Sequence, residues 1–165
     1  MDAAEIHQRL KAQCGAGVGA CELQVKDPWI QVEAQAIVEV SRFLHDDADL
    51  RFDYLVNQSA VDFKDRGVIQ VVYHLYSYPH RHAIVLKVDT ARDDAHLPTV
   101  EGVWKAANWL EREIYDLMGV TFDGHCDLRR LLMPEDWIGH PARKDFVEPE
   151  EYHGISTRRE SLLRE

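Results

Sequence analysis

Residues 68–77 read Val-Ile-Gln-Val-Val-Tyr-His-Leu-Tyr-Ser, and residues 82–88 read His-Ala-Ile-Val-Leu-Lys-Val. In both stretches large apolar side chains recur at every second position, which is the period of a β-strand with one buried face. The buried face of the first strand is expected to carry Ile69, Val71, Tyr73 and Leu75. The four residues between the stretches, Tyr-Pro-His-Arg at 78–81, predict a turn. We therefore expect an antiparallel hairpin at the centre of the fold.

Helices are predicted on both sides of this hairpin. Over residues 100–118 apolar side chains recur three and four positions apart, which is typical of an amphipathic helix. Thr99 is its expected N-cap, and Gly119 suits the left-handed position after its last turn. Shorter helices are predicted over residues 2–14, with Asp2 as N-cap, and over residues 35–45.

The remaining segments give weaker signals. A short strand is predicted at 29–32, and another at 52–55 is expected to be broken by the polar residues 57–59. The glycines within 15–19 indicate a flexible passage, and residues 89–98 are expected to form a polar loop. Together these elements predict an α+β fold, with a small antiparallel or mixed sheet and helices packed on it.

The periodic pattern stops at Gly119. Beyond it the chain holds Pro134, Pro141 and Pro149 and irregularly spaced apolar residues. We therefore expect an α+β domain over residues 1–119 and a long extended C-terminal arm over 120–165 that serves partner binding. Within 125–146 four basic residues balance four acidic ones, so this arm is less acidic than the rest of the chain.

Composition bounds the class of protein. The chain has 165 residues, which fits one domain overall. Its 19 basic and 29 acidic side chains give a net charge of −10, which argues against binding to nucleic acid or to anionic lipid. No apolar run approaches the roughly 20 residues that span a bilayer, so no direct membrane span is expected. The acidic beginning lacks the features of a signal peptide, which predicts a cytoplasmic chain.

The three cysteines, Cys14, Cys21 and Cys126, are dispersed, and no Cys-x-x-Cys motif occurs. An iron–sulfur cluster usually takes four thiolates, and a structural zinc site usually takes close pairs of ligands. The cysteines are therefore interpreted as free thiols. Nine histidines leave a metal site assembled from scattered residues as an open alternative, although no motif of a zinc protease or a di-iron protein is present.

Ionisable side chains crowd the end of the predicted helix 100–118. Glu113 and Asp116 share one stripe with Arg112. A pair of carboxylates could act as acid and base or bind a metal. The residues alone favour the simpler interpretation, a solvated helix face with an internal Arg–Glu pair.

Several consecutive motifs nevertheless resemble one family. They are Trp104-x-x-Ala-Asn-Trp-Leu-Glu-Arg-Glu-x-Tyr-Asp, Gly119-x-x-Phe-x-Gly-His, Asp127-Leu-Arg-Arg-x-Leu and Trp137-x-Gly-His-Pro-x-Arg-Lys-Asp. In this order they resemble the C subunit of the proton-pumping NADH:quinone oxidoreductase, respiratory complex I. The resemblance is strong over about 98–147 and looser back to Phe52. Cys126 and Ala142 stand where the family usually has proline and leucine.

The resemblance implies a hydrophilic, non-catalytic subunit of the peripheral arm of the complex. It implies no cofactor in this chain, with iron–sulfur clusters, FMN and quinone held by partner subunits. The expected partners are the hydrogenase-like quinone-site subunit and the iron–sulfur subunits, on the cytoplasmic side of the inner (plasma) membrane. No catalytic, cofactor-binding or metal residue is expected in this chain.

A set of charged and aromatic residues is expected to form a structural network and a partner interface. Its members are Glu111, Arg112, Glu113, Asp116, His125, Asp127, Arg129, Arg130, Trp137, His140, Arg143, Lys144 and Asp145. Two alternatives remain open from the sequence. One is a homologous subunit of a membrane-bound hydrogenase or of a quinone reductase fed by ferredoxin or a deazaflavin. The other is a free-standing metal-dependent enzyme.

Overall fold

A five-stranded mixed sheet forms the centre of the structure, a computed structural model that describes residues 1–158. Its strands are β1 (Val18–Glu22), β2 (Trp29–Val32), β3 (Tyr54–Phe63), β4 (Val68–Ser77) and β5 (His82–Ala91). The spatial order is β1-β2-β5-β4-β3, in which β2 and β5 run parallel and the other neighbours antiparallel. The predicted hairpin is confirmed as β4 and β5, with Tyr73 opposite Leu86. The predicted α+β class is confirmed as well.

Within residues 1–158, three α-helices accompany the sheet: α1 (Ala3–Cys14), α2 (Ile37–Asp46) and α3 (Ala107–Met118). Asp2 caps α1 as predicted, and it forms a capping box with Glu5. The core joins Ile6 of α1 and Leu44 of α2 to the inward face of the hairpin, including the fully buried Tyr73. Among residues 1–158 no helix is long and apolar enough to cross a membrane.

Two segments that were expected to be irregular are strands. The polar residues 57–59 do not break β3, because the antiparallel ladder with β4 continues through them from Asn57 to Phe63. The register shifts once, between Leu55 and Asn57. Similarly, the glycine-containing passage yields β1, which pairs with β2. Pairing with a neighbouring strand outweighs the weak strand propensity of these residues.

The start of the long helix was also predicted wrongly. α3 begins at Ala107, and Thr99 is not its N-cap, because residues 100–106 form turns and the Thr99 hydroxyl donates instead to Glu111. Gly119 does end the helix in the left-handed conformation, with φ of 72°. Part of the predicted loop 89–98 is the short strand β6 (His96–Pro98), which runs parallel to β7 (Thr121–Asp123).

The long extended C-terminal arm is not evident in the structure. Val120 and Phe122 lie in the core, and residues 130–145 fold back onto α3 and β3. The strands β8 (Glu151–Tyr152) and β9 (Ile155–Ser156) then form a small hairpin. The physical reason is that α3 ends in carbonyl groups and a buried carboxylate that need partners, and this segment supplies them. The rest of the predicted arm, 159–165, lies outside the described residues.

Candidate functional site

The side chain of Asp116 organises the junction between α3 and the C-terminal segment, which comprises residues 120–158. It is fully buried, and its Oδ2 accepts three consecutive backbone N–H bonds, from Leu131 (3.0 Å), Leu132 (2.7 Å) and Met133 (2.8 Å). Its Oδ1 pairs with the Arg130 guanidinium at 2.8 Å. Burial alone would raise the pKa of Asp116, but these donors outweigh it and hold the pKa below its usual value. Asp116 is therefore a charged anchor for the segment.

Arg130 extends this anchor toward the next turn of the segment. Its Nη2 donates to the carbonyl oxygens of Trp137 at 2.8 Å and Gly139 at 3.2 Å. Arg112 lies one turn before Asp116 on α3 and donates to the carbonyl oxygens of Arg129 (3.2 Å) and Arg130 (3.3 Å). A planar guanidinium with five donors can bridge several carbonyl groups in this way. The two arginines thus fix the path of residues 129–139.

The C-terminal end of α3 is capped by residues 140–143. His140 Nδ1 donates to the Asp116 carbonyl at 3.0 Å, and the Ala142 N–H donates to the Leu117 carbonyl at 3.0 Å. Arg143 Nε donates to the Met118 carbonyl at 2.7 Å. These bonds satisfy carbonyl groups that a helix end otherwise leaves unpaired, and the positive charge of Arg143 suits the negative end of the helix dipole.

A second ion-pair cluster joins the segment to the sheet. Arg92 donates from Nε and Nη2 to the two carboxylate oxygens of Asp62, at 2.7 and 2.9 Å, and from Nη2 to Asp145 at 2.6 Å. The Lys144 N–H also donates to Asp62 at 2.9 Å. Hydrogen bonds from Arg92 lower the pKa of Asp62 to about 2, against the opposing effect of burial. The cluster is built around a buried bidentate pair, which is the strong form of ion pair.

Glu111 and His125 occupy a buried polar layer on the other side of α3. Glu111 accepts from the Thr99 hydroxyl and from the Val100 N–H at 2.9 Å. Burial raises the pKa of Glu111, and these bonds offset only part of the effect. His125 Nε2 lies 4.0 Å from a Glu111 oxygen, and both side chains are fully enclosed. Their role here is to hold the turn after β7 against the helix.

One cluster has the composition of a metal site. Ligand atoms of Glu101, His125 and Cys126 lie within 4.8 Å of one another. However, His125 Nε2 faces the Asn108 carbonyl at 3.0 Å and donates its proton there, while Nδ1 accepts from the Asp127 N–H at 3.0 Å. Because both ring nitrogens are engaged, the imidazole offers no free lone pair to a metal. The geometry fits a hydrogen-bonded cluster better than a metal centre.

The structure brings most of the expected network residues together, but with a different burial from the expected one. Glu111, Arg112 and Asp116 are buried, so the interpretation as a solvated helix face is wrong for them. It fails because residues 125–143 cover that face. Glu113 is exposed, as are Asp127 and Arg129, which pair with each other at 2.9 Å.

Sequence reasoning missed several members of these clusters. Asp62 and Arg92 belong to the sheet cluster, and Thr99 and Glu101 belong to the polar layer. Among these residues, Asp62 could have been recognised as a buried ionic group. It is a charged residue that lies opposite the buried Ile69 in the ladder of β3 and β4. The others depend on contacts between distant segments, which local spacing does not reveal.

Apolar side chains remain exposed along the C-terminal segment. Leu132 is 60% exposed, Ile138 85%, Val147 84% and Ile155 71%. Trp137 packs against Tyr152 with ring centroids 5.1 Å apart and a tilt of 55° between the ring planes, a contact that joins the hairpin of β8 and β9 to the segment. Exposed apolar side chains that recur along one anchored segment are candidates for contact with a partner.

Solved structures share this fold, and two of them are described here. A trypsin-resistant fragment (1–134) of Nqo5 superposes with a TM-score of 0.63 at 28% identity, over 78% of this chain and 100% of that one. A chain of the membrane-bound sulfane sulfur reductase, an archaeal respiratory membrane complex, superposes with a TM-score of 0.69 at 26% identity, over 87% of this chain and 85% of that one.

Sequence comparison assigns the family. The family model described as "Respiratory-chain NADH dehydrogenase, 30 Kd subunit" matches residues 30–152. The C subunit of the NADH-quinone oxidoreductase of Roseiflexus sp. (strain RS-1) is 44% identical over 147 residues, which is 88% of this chain and 84% of that protein. The chain therefore belongs to the family of the 30 kDa subunit of the respiratory-chain NADH dehydrogenase, which is the C subunit of the NADH-quinone oxidoreductase complex.

Proposed function

We propose that this chain is a cofactor-free, hydrophilic subunit that holds the quinone-site subunits of the peripheral arm together while electrons pass from NADH to quinone. It contributes no catalytic group of its own. Its partners are the hydrogenase-like quinone-site subunit and the iron–sulfur subunits, and these partners hold the iron–sulfur clusters, FMN and quinone. On this proposal the chain is a peripheral subunit on the cytoplasmic side of the inner (plasma) membrane, as part of the membrane-associated complex.

The observation that carries this proposal is that the C-terminal segment is anchored to α3 by buried polar contacts and carries exposed apolar side chains. Asp116 and Arg130 fix the segment to α3, while Ile138 and Val147 stay more than four-fifths exposed. Each large apolar side chain that a partner buries fully stabilises the contact by about 1.5–3 kcal/mol. Because the segment is already ordered before the partner binds, less conformational entropy is lost on binding.

The exposed charged members of the expected network belong to the same proposal. Asp127, Arg129 and Lys144 lie at the surface of the segment. Charged groups at the rim of an interface contribute to partner choice and association rate more than to affinity. The buried members, such as Arg112 and Asp116, act instead by fixing the shape that the partner meets.

The test is co-purification with the hydrogenase-like subunit of the same complex. Ile138→Asp and Val147→Asp should each weaken capture at least tenfold and leave the thermal midpoint of the isolated chain unchanged. Val25→Asp is the matched control, because Val25 is also an exposed valine, 46% exposed, but lies in the loop between β1 and β2. Normal capture of both segment variants would refute the proposal.

A second candidate function differs in the electron donor. The superposition on a chain of the sulfane sulfur reductase has a TM-score of 0.69. It supports a second candidate for the parent complex, one that takes electrons from another donor, such as a hydrogenase or a ferredoxin-fed reductase. The 44% identity to an NADH-quinone oxidoreductase subunit favours NADH. Quinone reduction by the purified parent complex, measured with NADH and with reduced ferredoxin in parallel, separates the two.

A further inference from the structure

A pocket of about 370 Å³ lies on the surface of the C-terminal segment, next to the end of α3. Two short stretches of the segment form its walls, residues 138–140 and residues 145–147, and Arg143 lines it between them. The rim is apolar, because Ile138 is 85% exposed and Val147 is 84% exposed. These exposed apolar side chains therefore surround a concave site.

The walls of the pocket are fixed by contacts within the segment. Gly139 has φ of +86°, and a Cβ placed there would lie 3.1 Å from the ring of Phe146, so the two walls touch at this point. Arg130 Nη2 donates to the Gly139 carbonyl at 3.2 Å, and the Phe146 N–H donates to the Arg143 carbonyl at 3.1 Å. A site that is ordered before its ligand arrives loses less entropy on binding.

The guanidinium of Arg143 lacks a carboxylate partner. Its Nε donates to the Met118 carbonyl at 2.7 Å and its Nη2 lies 3.5 Å from the Gly119 carbonyl, but it forms no ion pair with any of residues 1–158. A guanidinium has five N–H donors, so the edge formed by Nη1 and Nη2 keeps N–H groups for a further acceptor. Arg130 of the same segment, in contrast, pairs with Asp116.

The charge that remains uncompensated in the pocket is positive. Asp145 also lines the pocket, but its carboxylate is already paired with Arg92, whose Nη2 lies 2.6 Å away. Arginine is a preferred residue at the centre of protein interfaces, where surrounding groups exclude water from the contact. The planar edge of a guanidinium binds a carboxylate through two parallel hydrogen bonds. The chemical group that fits this pocket is therefore a carboxylate.

We propose that the pocket receives an aspartate or glutamate side chain of the hydrogenase-like partner subunit, whose carboxylate pairs with Arg143 while neighbouring partner groups cover Ile138 and Val147. This rests on the proposed function and adds the chemistry by which the partner is recognised. Arg143 then has two roles, since it also caps α3. A second copy of the chain is a poorer source of the carboxylate, because two chains of net charge −10 repel each other.

Two variants of Val147 test the charge of the bound group and leave Arg143 in place. Because Val147 is 84% exposed, Val147→Asp and Val147→Lys lose the same apolar contact and should both keep the wild-type thermal midpoint. The new carboxylate repels an incoming carboxylate, whereas the new ammonium group attracts it. Val147→Asp should therefore bind the purified hydrogenase-like subunit at least tenfold more weakly than Val147→Lys. The controls Val25→Asp and Val25→Lys, in the loop between β1 and β2, should bind alike.

Variants of Arg143 and a salt series test the proposed ion pair directly. Arg143→Gln should bind at least tenfold more weakly than wild type, and Arg143→Lys, which keeps the positive charge, should recover part of the loss. Because salt screens charge pairs, added NaCl should weaken the binding of wild type more steeply than the binding of Arg143→Gln. Arg9→Gln should behave like wild type, because Arg9 lies on α1 and pairs with Asp47 and Asp49 of its own chain.

Three results would overturn the proposal. If Val147→Asp and Val147→Lys bind equally, or if folded Arg143→Gln binds like wild type with the same salt dependence, the pocket takes no carboxylate while the proposed function stands. The Val147 pair decides alone if the Arg143 variants do not fold. If the wild-type chain does not bind the hydrogenase-like subunit at all, the proposed function and this inference both fail. If the isolated chain dimerises and Val147→Asp abolishes the dimer, the carboxylate comes from a second copy instead.

Discussion

The pKa values of two buried carboxylates on α3 are shifted in opposite directions. Asp116 and Glu111 are both fully buried. Asp116 faces three backbone N–H groups and a guanidinium, which outweigh burial and lower its pKa. Glu111 lies deeper in the protein and has no guanidinium partner, so burial dominates and raises its pKa. The depth of burial and the donors around each carboxylate together decide which of the two acts as an ionic anchor.

The anchoring role of Asp116 predicts a large loss of stability on its removal. Asp116→Ala leaves the Arg130 charge and three backbone N–H groups without their acceptor, so the free energy of unfolding should fall by about 3–5 kcal/mol. Asp127→Ala is the matched control, because its ion pair with Arg129 is more than half exposed on both sides and such pairs contribute about 0–1 kcal/mol. Urea denaturation of both variants measures the difference, and similar losses would contradict the anchoring role.

The lowered pKa of Asp62 predicts an acid-sensitive contribution to stability. Its pKa is about 2 in the fold against an ordinary value of 3.8, so the charged form is the one that the fold stabilises. This contribution is complete above about pH 4 and is lost as the pH falls through about 2. Asp62→Asn should therefore be less stable than wild type at pH 7, and the gap should narrow between pH 4 and pH 2. Unfolding free energies across that range test this, and a constant gap would count against it.

At the scale of elements, the end of α3 depends on close packing from residues 140–143. Gly119 has φ of +72°, and a Cβ there would lie 2.5 Å from the His140 ring and 3.0 Å from Arg143 Nη2. His140 and Arg143 cannot move away freely, since both are hydrogen-bonded to α3 carbonyl groups. Gly119 therefore serves two purposes, the left-handed turn and the space for the cap.

A comparison of two glycines separates these purposes. Gly67 has a similar φ of +65°, but among the described residues nothing lies within 4 Å of a Cβ placed there. Gly67→Ala should cost about 1–2 kcal/mol for the left-handed backbone alone. Gly119→Ala should cost clearly more, and adding His140→Ala should recover part of the excess. Thermal unfolding of the three variants measures these losses of stability. Equal losses at the two glycines would show that His140 and Arg143 move aside without a loss of stability.

Helices and strands were predictable from the sequence where the pattern of buried residues, or the cap, depends only on residues nearby in the sequence. The alternation from Ile69 to Leu75 and the capping of α1 by Asp2 depend on neighbours in the sequence, and both were predicted correctly. The continuity of β3 through residues 57–59 depends on pairing with β4, which local polarity does not reveal. The burial of Asp116 depends on a segment 14 or more residues away, so spacing on the helix suggested a solvated face instead.

At the scale of the whole molecule, the C-terminal segment has two parts, which differ in how they contact residues 1–119, the body of the protein. Residues 120–145 place Phe122 in the core and meet the body through Asp116, Arg92 and Asp62. Between residue 148 and residue 158, the hydrogen bonds stay within the segment, such as Tyr152 to Asp136 at 2.8 Å. The first part therefore completes the fold, while the hydrogen bonds of the second part reach only the first.

This division predicts different outcomes for two truncations. A chain that ends at Val147 keeps Phe122, the Asp116 anchor and the Asp145–Arg92 pair, so it should unfold cooperatively with a thermal midpoint within a few degrees of the full chain. A chain that ends at Gly119 loses Val120 and Phe122 from the core and leaves Asp116 without its donors. Removing large buried apolar side chains costs about 2–5 kcal/mol each, a large part of the 5–15 kcal/mol that stabilises a typical domain. The shorter chain should therefore lack a cooperative transition in calorimetry. If it melts like the chain ending at Val147, residues 120–147 contribute little to the fold and serve the partner alone.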